Sequence, residues 1–202
     1  MTKKKNNLLS KIYLLLFWIR KVKNNRDKDL FADLWQKTWL DQGYATETTL
    51  AELIKHYRKY DEFAEDFILY FLGKPIGTIR LIIGKLLPVV EDFEVESQYK
   101  DIANMEITLM TLDRKFQRHD HLASLLLMRV FYRFAIKNKF YGAVMATDAR
   151  LFKLLNIMGF HMIKIGPEKF YEGSITIPAY IDLRETEKKV SKRNPDLYKF
   201  FS

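Results

Sequence analysis

The chain contains no cysteine among its 202 residues. That excludes disulfides, cysteine-ligated zinc and thiol catalysis, and it fits a reducing, cytoplasmic compartment. No glycine-rich GxGxxG or GxxxxGK loop is present, so dinucleotide and P-loop chemistry have no support. The apolar run near the N-terminus, IYLLLFWI, is far shorter than the roughly 20 residues that span a bilayer. No small-residue cleavage site follows it, as a signal peptide requires. There is no internal repeat and no sign of a second globular domain.

What is present is basic charge, placed at the ends. The net charge is +9, of which residues 1–25 carry +7 without a single acid and residues 184–202 carry +3, which leaves the body at −1. A nucleic-acid-binding body carries its own basic face, so nucleic acid is not the expected partner. An acidic protein or an anionic membrane surface fits this distribution better. The chain therefore divides into a basic amphipathic arm (1–25), a folded body (26–184) and a basic tail (185–202). In the arm, lysine and arginine bracket the apolar block and Trp18 lies near its end. It reads either as a helix lying in a membrane interface or as a helix packed on its own domain. The tail reads as polar and loose.

With 48% apolar and 14% aromatic residues, the body has material for a substantial core. Leu30, Phe31, Leu34, Trp35 and Trp39 share one helical face over 28–42, and Gly43 ends the helix. TETTLAELIKHYRKY starts with a capping pattern and reads as a second helix. EDFILYFLG and PIGTIRLIIG read as a hairpin about Gly73–Pro75. Residues 85–103 look irregular. Strands are expected at 104–113, 141–147, HMIKIG and 174–184. A long apolar helix is expected over 121–139, and another runs from an Asp148 N-cap to a Gly159 stop. The sum is an α/β (α+β) fold, a mixed central sheet with helices on both faces.

This order resembles the fold of the GCN5-related acyltransferases. The segment MEITLMTLDRKFQRHDHLASLLLMRVFYRFA corresponds to that fold's strand, donor-binding loop and long helix, and LLNIMGF resembles its later helix ending in Gly-Phe. A narrower resemblance is to the N-acyl-homoserine-lactone synthases and N-acyl amino acid synthases, carried by Asp61, Gly77, Arg80, Leu81, Pro88, Phe93, Glu106 and Thr108 over roughly residues 35–184. Four places depart from these patterns, one of them Gln36–Lys37, near where an arginine is common. His121 replaces a glycine of the loop, Leu155 a tyrosine common in amine acetyltransferases, and Leu109 the arginine after Glu-x-Ser/Thr.

The resemblance implies an acyltransferase-like domain over 26–184. It would move a fatty acyl group from acyl carrier protein, or from coenzyme A, to the amine of an amino acid or similar small acceptor. The thioester on a phosphopantetheine arm would be the donor substrate, with no tightly bound cofactor and no metal. Glu106, Arg80 and Thr108 are the candidate catalytic residues. Arg118, His121, Leu122 and Ala123 would hold the donor phosphates at a helix start, where free backbone N–H groups favour anions. Leu109 and Met110, on a splayed strand, would receive the thioester oxygen.

Strand alternation sets Arg80 on one face with Thr78 and Ile82, and Glu106 with Thr108. A buried guanidinium needs a partner: Arg80 is read as facing a carboxylate, a donor phosphate or an acceptor carboxylate at the reaction cleft, and if Glu106 shares that cleft it takes the amine proton directly or through water. A structural ion pair is the plainer alternative. Leu125, Leu126, Leu127, Phe131, Phe134, Val144 and Met145 either line an acyl tunnel or are ordinary core. His119 and His121 lack an apparent third metal ligand, and His56-x4-Asp61 matches a glycerolipid acyltransferase pattern too short to carry weight. Two other functions stay open: a coenzyme A-dependent short-chain N-acetyltransferase, and a non-catalytic binder of acyl chains or a membrane partner.

Overall fold

The two stretches that open the body form paired helices because each presents one apolar stripe. A computed structural model describes residues 16–117 and 122–202. Helix α1 (Asn25–Gln42) buries Phe31, Trp35, Thr38 and Trp39, starts at the Asn24 cap and ends at Gly43, whose φ of 77° only glycine adopts at no cost. Burying a side chain such as Phe31 stabilises by roughly 1.5–3 kcal/mol. Helix α2 (Glu47–Arg58) begins with a capping box closed by Thr49 rather than by an acid and buries Tyr57. The rings of Trp35, Trp39 and Tyr57 meet edge to face, which joins the two helices.

Eight strands form one sheet in the order β1-β2-β3-β4-β5-β8-β6, with β7 paired to β8. They are β1 (Phe17–Lys21), β2 (Ala64–Phe71), β3 (Lys74–Ile83), β4 (Met105–Leu112), β5 (Gly142–Asp148), β6 (His161–Lys164), β7 (Lys169–Tyr171) and β8 (Ser174–Asp182). Only β4 and β5 run parallel among these neighbours. The intervening helices are α3 (Pro88–Asp92), α4 (Ser97–Ile102), α5 (Arg114–Gln117), α6 (Leu122–Lys137) and α7 (Ala149–Met158), followed by α8 (Leu183–Arg193) and α9 (Pro195–Phe201). One face of the sheet packs Leu81, Ile107, Met145 and Ile181 against α6, α7 and α9. The other packs Ile82, Val144 and Tyr180 near α3 and α4, and Ile68 and Tyr70 against α1 and α2.

Three expectations change. Residues 17–21 of the arm are an edge strand rather than a helix, because Phe17–Lys21 pairs with Phe67–Phe71; residues 1–15 lie outside the described residues. The segment 85–103 holds two short helices, the first opened by Pro88 at a helix N-terminus, where proline costs nothing. The tail is helical and docked: Val190 and Phe201 are buried, and Phe160 meets Phe201 edge to face. Its periodic apolar residues outweigh its charge. Among the described residues, no helix is long and apolar enough to cross a membrane.

Candidate active site

Two local irregularities open a cleft. The ladder between β4 and β5 stops at Ile107–Met145, although β4 runs on to Leu112 and β5 to Asp148. The carboxyl ends of a parallel pair thus diverge, and helices α5, α6 and α7 follow those ends. This is where ligands enter α/β sheets. In addition, β4 carries one extra residue: Thr78 pairs with Thr111, while Arg80 pairs with Thr108. The bulge centres on Leu109, which has a φ of 45°, unusual for a residue with a Cβ. Thr78 stabilises it by donating its hydroxyl to the Leu109 carbonyl at 2.8 Å. A cavity of about 120 Å³ fills the divergence. Thr108, Leu109 and Met110 line one side of it, Ala146 to Asp148 another, and Tyr57 and Glu172 its end.

Arg80 and Glu106 do lie on one face of the sheet, since Arg80 opposes Thr108 and Ile82 opposes Glu106. They do not pair. Arg80, 7% exposed, makes a two-pronged bond to Asp66 at 2.7 and 2.8 Å. It also donates to the Tyr57 carbonyl at 3.0 Å and contacts Asp61 at 2.9 Å. Burial works against its charge, but Asp66 and Asp61 more than offset this and hold it protonated. Glu106 is 1% exposed and accepts from the Val89 N–H at 2.8 Å. Burial raises its carboxyl well above the ordinary range. It lines neither this cleft nor the cavity beside Arg80. The expected open Arg80–Glu106 pair is therefore corrected: Asp66, directly opposite Arg80 on β2, takes the guanidinium, and the backbone of α3 caps the glutamate.

Arg80 borders a second cavity, of about 350 Å³, with Asp29, Asp61, Asp66, Lys28 and Arg58 and the rings of Phe31 and Trp35. Tyr57 borders both cavities. Its carbonyl serves Arg80, and its hydroxyl donates to Glu172 Oε1 at 2.9 Å and meets the Thr108 hydroxyl. Thr108 thus sits at the bulge, half-buried and in contact with the cleft.

Sequence reasoning did not single out Glu172, Tyr57 or Asp66. Glu172 and Gly173 form a two-residue hairpin turn with φ of 48° and 77°. A glutamate where asparagine or aspartate is usual before glycine was the available signal. Leu122 and Ala123 open α6, with Ala123 in the core; Arg118, His119 and His121 lie outside the described residues. Leu155 is fully buried in the core. Of the residues weighed as a tunnel lining, Leu126, Leu127 and Phe131 pack in the core on one face of the sheet and Val144 in the core on the other, while Met145 borders the cleft. His56 and Asp61 are separate: His56 approaches Asp92 at 3.3 Å, while Asp61 serves Arg80.

The resemblance implies a mixed sheet with helices on both faces and a splayed strand near Thr108–Met110; the structure has such a sheet, with the bulge at Leu109 and the β4–β5 divergence at that strand. The fold is that of the GCN5-related acyltransferases. An N-acyl amino acid synthase from uncultured soil microbes, FeeM, superposes with a TM-score of 0.69 over 86% of this chain and 94% of its own, at 17% identity. The acyl-homoserine-lactone synthase LasI gives 0.56 over 83% and 90%, at 13% identity. A putative N-acetyltransferase from Lactobacillus plantarum gives 0.58 over 83% and 98%, at 14% identity. No protein-family model and no curated protein matches the sequence. Within this acyltransferase fold, the cleft occupies the divergence of β4 and β5.

Proposed function

We propose that the protein transfers an acyl group from a pantetheine thioester to the amine of a small acceptor, an amino acid or a close analogue. The observation that carries this reading is the cleft at the Leu109 bulge, where strand backbone lies open beside a tyrosine, a threonine and a glutamate. A thioester laid along β4 would present its carbonyl oxygen to the backbone of Thr108–Met110, and donors aimed at a developing oxyanion are worth about 3–4 kcal/mol. Arg118, His121, Leu122 and Ala123 would hold the donor phosphates, as the family resemblance implies.

The charged cavity beside Arg80 supports a zwitterionic acceptor. Lys28 and Arg58 offer cations for a carboxylate, Asp29 and Asp61 offer anions for an ammonium, and Phe31 and Trp35 offer an apolar wall. Arg80 itself is committed to Asp66, so its part is to hold the wall of that cavity in place. Tyr57, shared by the two cavities, would mark where amine meets thioester. Glu106 contributes from behind the cleft, as an enclosed acid that electrostatically faces Glu172.

The donor we favour is acyl carrier protein, because a basic arm and tail suit an acidic carrier; residues 1–25 would also suit an anionic membrane surface near an acylated product. The test is to incubate the full chain with acylated carrier protein or acyl-coenzyme A and pooled amino acids, then search for N-acyl products by mass spectrometry. Product from the carrier protein supports the whole reading. Product from short-chain acyl-coenzyme A alone would replace the donor, and acyl-chain binding without product would overturn the transferase reading.

A further inference from the structure

We propose that Glu172, on the hairpin turn between β7 and β8, is the group that takes the proton from the attacking amine. The inference rests on the acyl-transfer reading and names the residue that makes the amine nucleophilic.

Among the described residues, the carboxylates bordering the cleft are Asp148 and Glu172. Asp148 is occupied as the N-cap of α7, accepting from Leu151 N–H at 2.8 Å. Glu106 is enclosed, and Asp61 and Asp66 lie on the neighbouring cavity beside Arg80. Glu172 remains, and its position is held firmly. Gly173 packs so closely on the end of α1 that an added Cβ would lie 2.5 Å from the Gly43 carbonyl oxygen. The turn is thus packed against the end of α1, and Glu172 borders the cleft beside Tyr44 and Tyr57.

The surroundings suit a base that works near neutral pH. Burial pushes the Glu172 carboxyl up to about 7, while the hydroxyls of Tyr57 and Tyr171 and the nearby His56 hold it down and Asp92 opposes them. These groups face it from α2, β7 and α3, and Glu106 faces it from β4. A base with its pKa near the working pH combines a useful ionised fraction with real proton affinity. Tyr171 donates to Asp92 at 2.7 Å, so the aspartate is hydrogen-bonded away from the cleft.

An ammonium acceptor gives one proton to the Glu172 carboxylate and becomes a neutral amine. Its nitrogen lone pair attacks the thioester carbonyl carbon, forming a C–N bond and an oxyanion. The oxyanion collapses, the C–S bond breaks, and the departing sulfur takes the second proton from nitrogen. An amide and a free pantetheine thiol result, and Glu172 returns its proton to water. No oxidant, reductant or metal enters the balance.

The experiment compares pH profiles of kcat/KM for the wild type, Glu172→Gln and Glu172→Asp, using the donor and amine found in the product screen. The wild type should show an acidic limb near pH 7. Glu172→Gln should lose about 10²–10⁴-fold in kcat with KM little changed, and should lose the limb. Glu172→Asp should keep a limb at reduced rate, which separates a lost base from a lost fold. Wild-type-like rates and an unchanged limb in Glu172→Gln would overturn this inference and leave the acyl-transfer reading standing. A wild type that forms no N-acyl product from any donor would overturn both. Independently of turnover, the ¹³C carboxyl resonance that disappears in Glu172→Gln should titrate near pH 7; a midpoint below 5 would overturn the assignment.

Discussion

Tyr57 donates its hydroxyl to Glu172 at 2.9 Å across 115 residues of sequence, while its own carbonyl accepts from Arg80. One residue of α2 thus ties the ion-paired arginine of β3 to the glutamate of a distant hairpin, and it borders both cavities.

Replacing Tyr57 by phenylalanine removes a donor to the Glu172 carboxylate. A hydrogen bond to a charged group is worth about 1.5–3 kcal/mol, and one pKa unit corresponds to about 1.4 kcal/mol. The carboxyl should therefore rise, and the acidic limb of kcat/KM should move about one to two units toward higher pH. A pH–rate profile of Tyr57→Phe checks this; a limb that stays in place or moves down contradicts it.

Stability should depend on pH through Glu172. Its folded value, about 7, lies above the ordinary 4.5, so the folded protein binds this proton more tightly than the unfolded chain does. Its contribution is intact below about pH 4.5 and is lost as pH rises through about 7. Glu172→Gln removes that loss. Urea unfolding should find the variant more stable than wild type at pH 8, by at most about 3 kcal/mol, and nearly equal at pH 4.5.

Gly173→Ala should act on position rather than on chemistry. The new Cβ meets the Gly43 carbonyl at 2.5 Å, and the φ of 77° is strained for alanine. A loss of about 1–3 kcal/mol is expected, with a fall in kcat as Glu172 is displaced. Thermal melting with steady-state kinetics would reveal both effects. Retained stability and rate would mean that the turn has more room than its packing indicates.

Arg80→Met should cost about 3–5 kcal/mol, because it leaves the largely buried Asp66 carboxylate, 12% exposed, without its partner. The double variant Arg80→Met with Asp66→Leu should recover much of that loss, since replacing both members of such a pair is often near neutral. A double-mutant cycle in denaturant measures the coupling; additive losses would show that the two residues do not depend on each other.

Arg80 also shows how far the sequence can be read. Its place on a buried strand and its need for a counter-charge follow from alternation and from the cost of burying an unpaired guanidinium. The partner does not follow. Counting back from the Leu72–Gly73 turn pairs Arg80 with Glu65, but the register slips at Leu69/Tyr70, beside Pro75, and brings Asp66 opposite instead. A one-residue slip moves every side chain to the other face. Glu106 was placed correctly on its face, yet whether it met Arg80 or a helix N–H depended on α3, a segment whose sequence looked irregular.

The local rules were sufficient for the elements that repeat. The aromatic stripe of α1, the Thr46 and Asp148 caps, the Gly43 and Gly159 stops and the alternating strands each follow from the 3.6- or 2-residue period and from a nearby capping side chain. The order of those elements also carried the fold. The cleft and its occupants were decided in three dimensions, because each depends on a misfit between elements: the end of the β4–β5 ladder, the extra residue at Leu109, and a hairpin turn that a glycine lets press against α1. Glu172, Tyr57 and Thr108 come from distant parts of the chain, and only close packing brings them to one point.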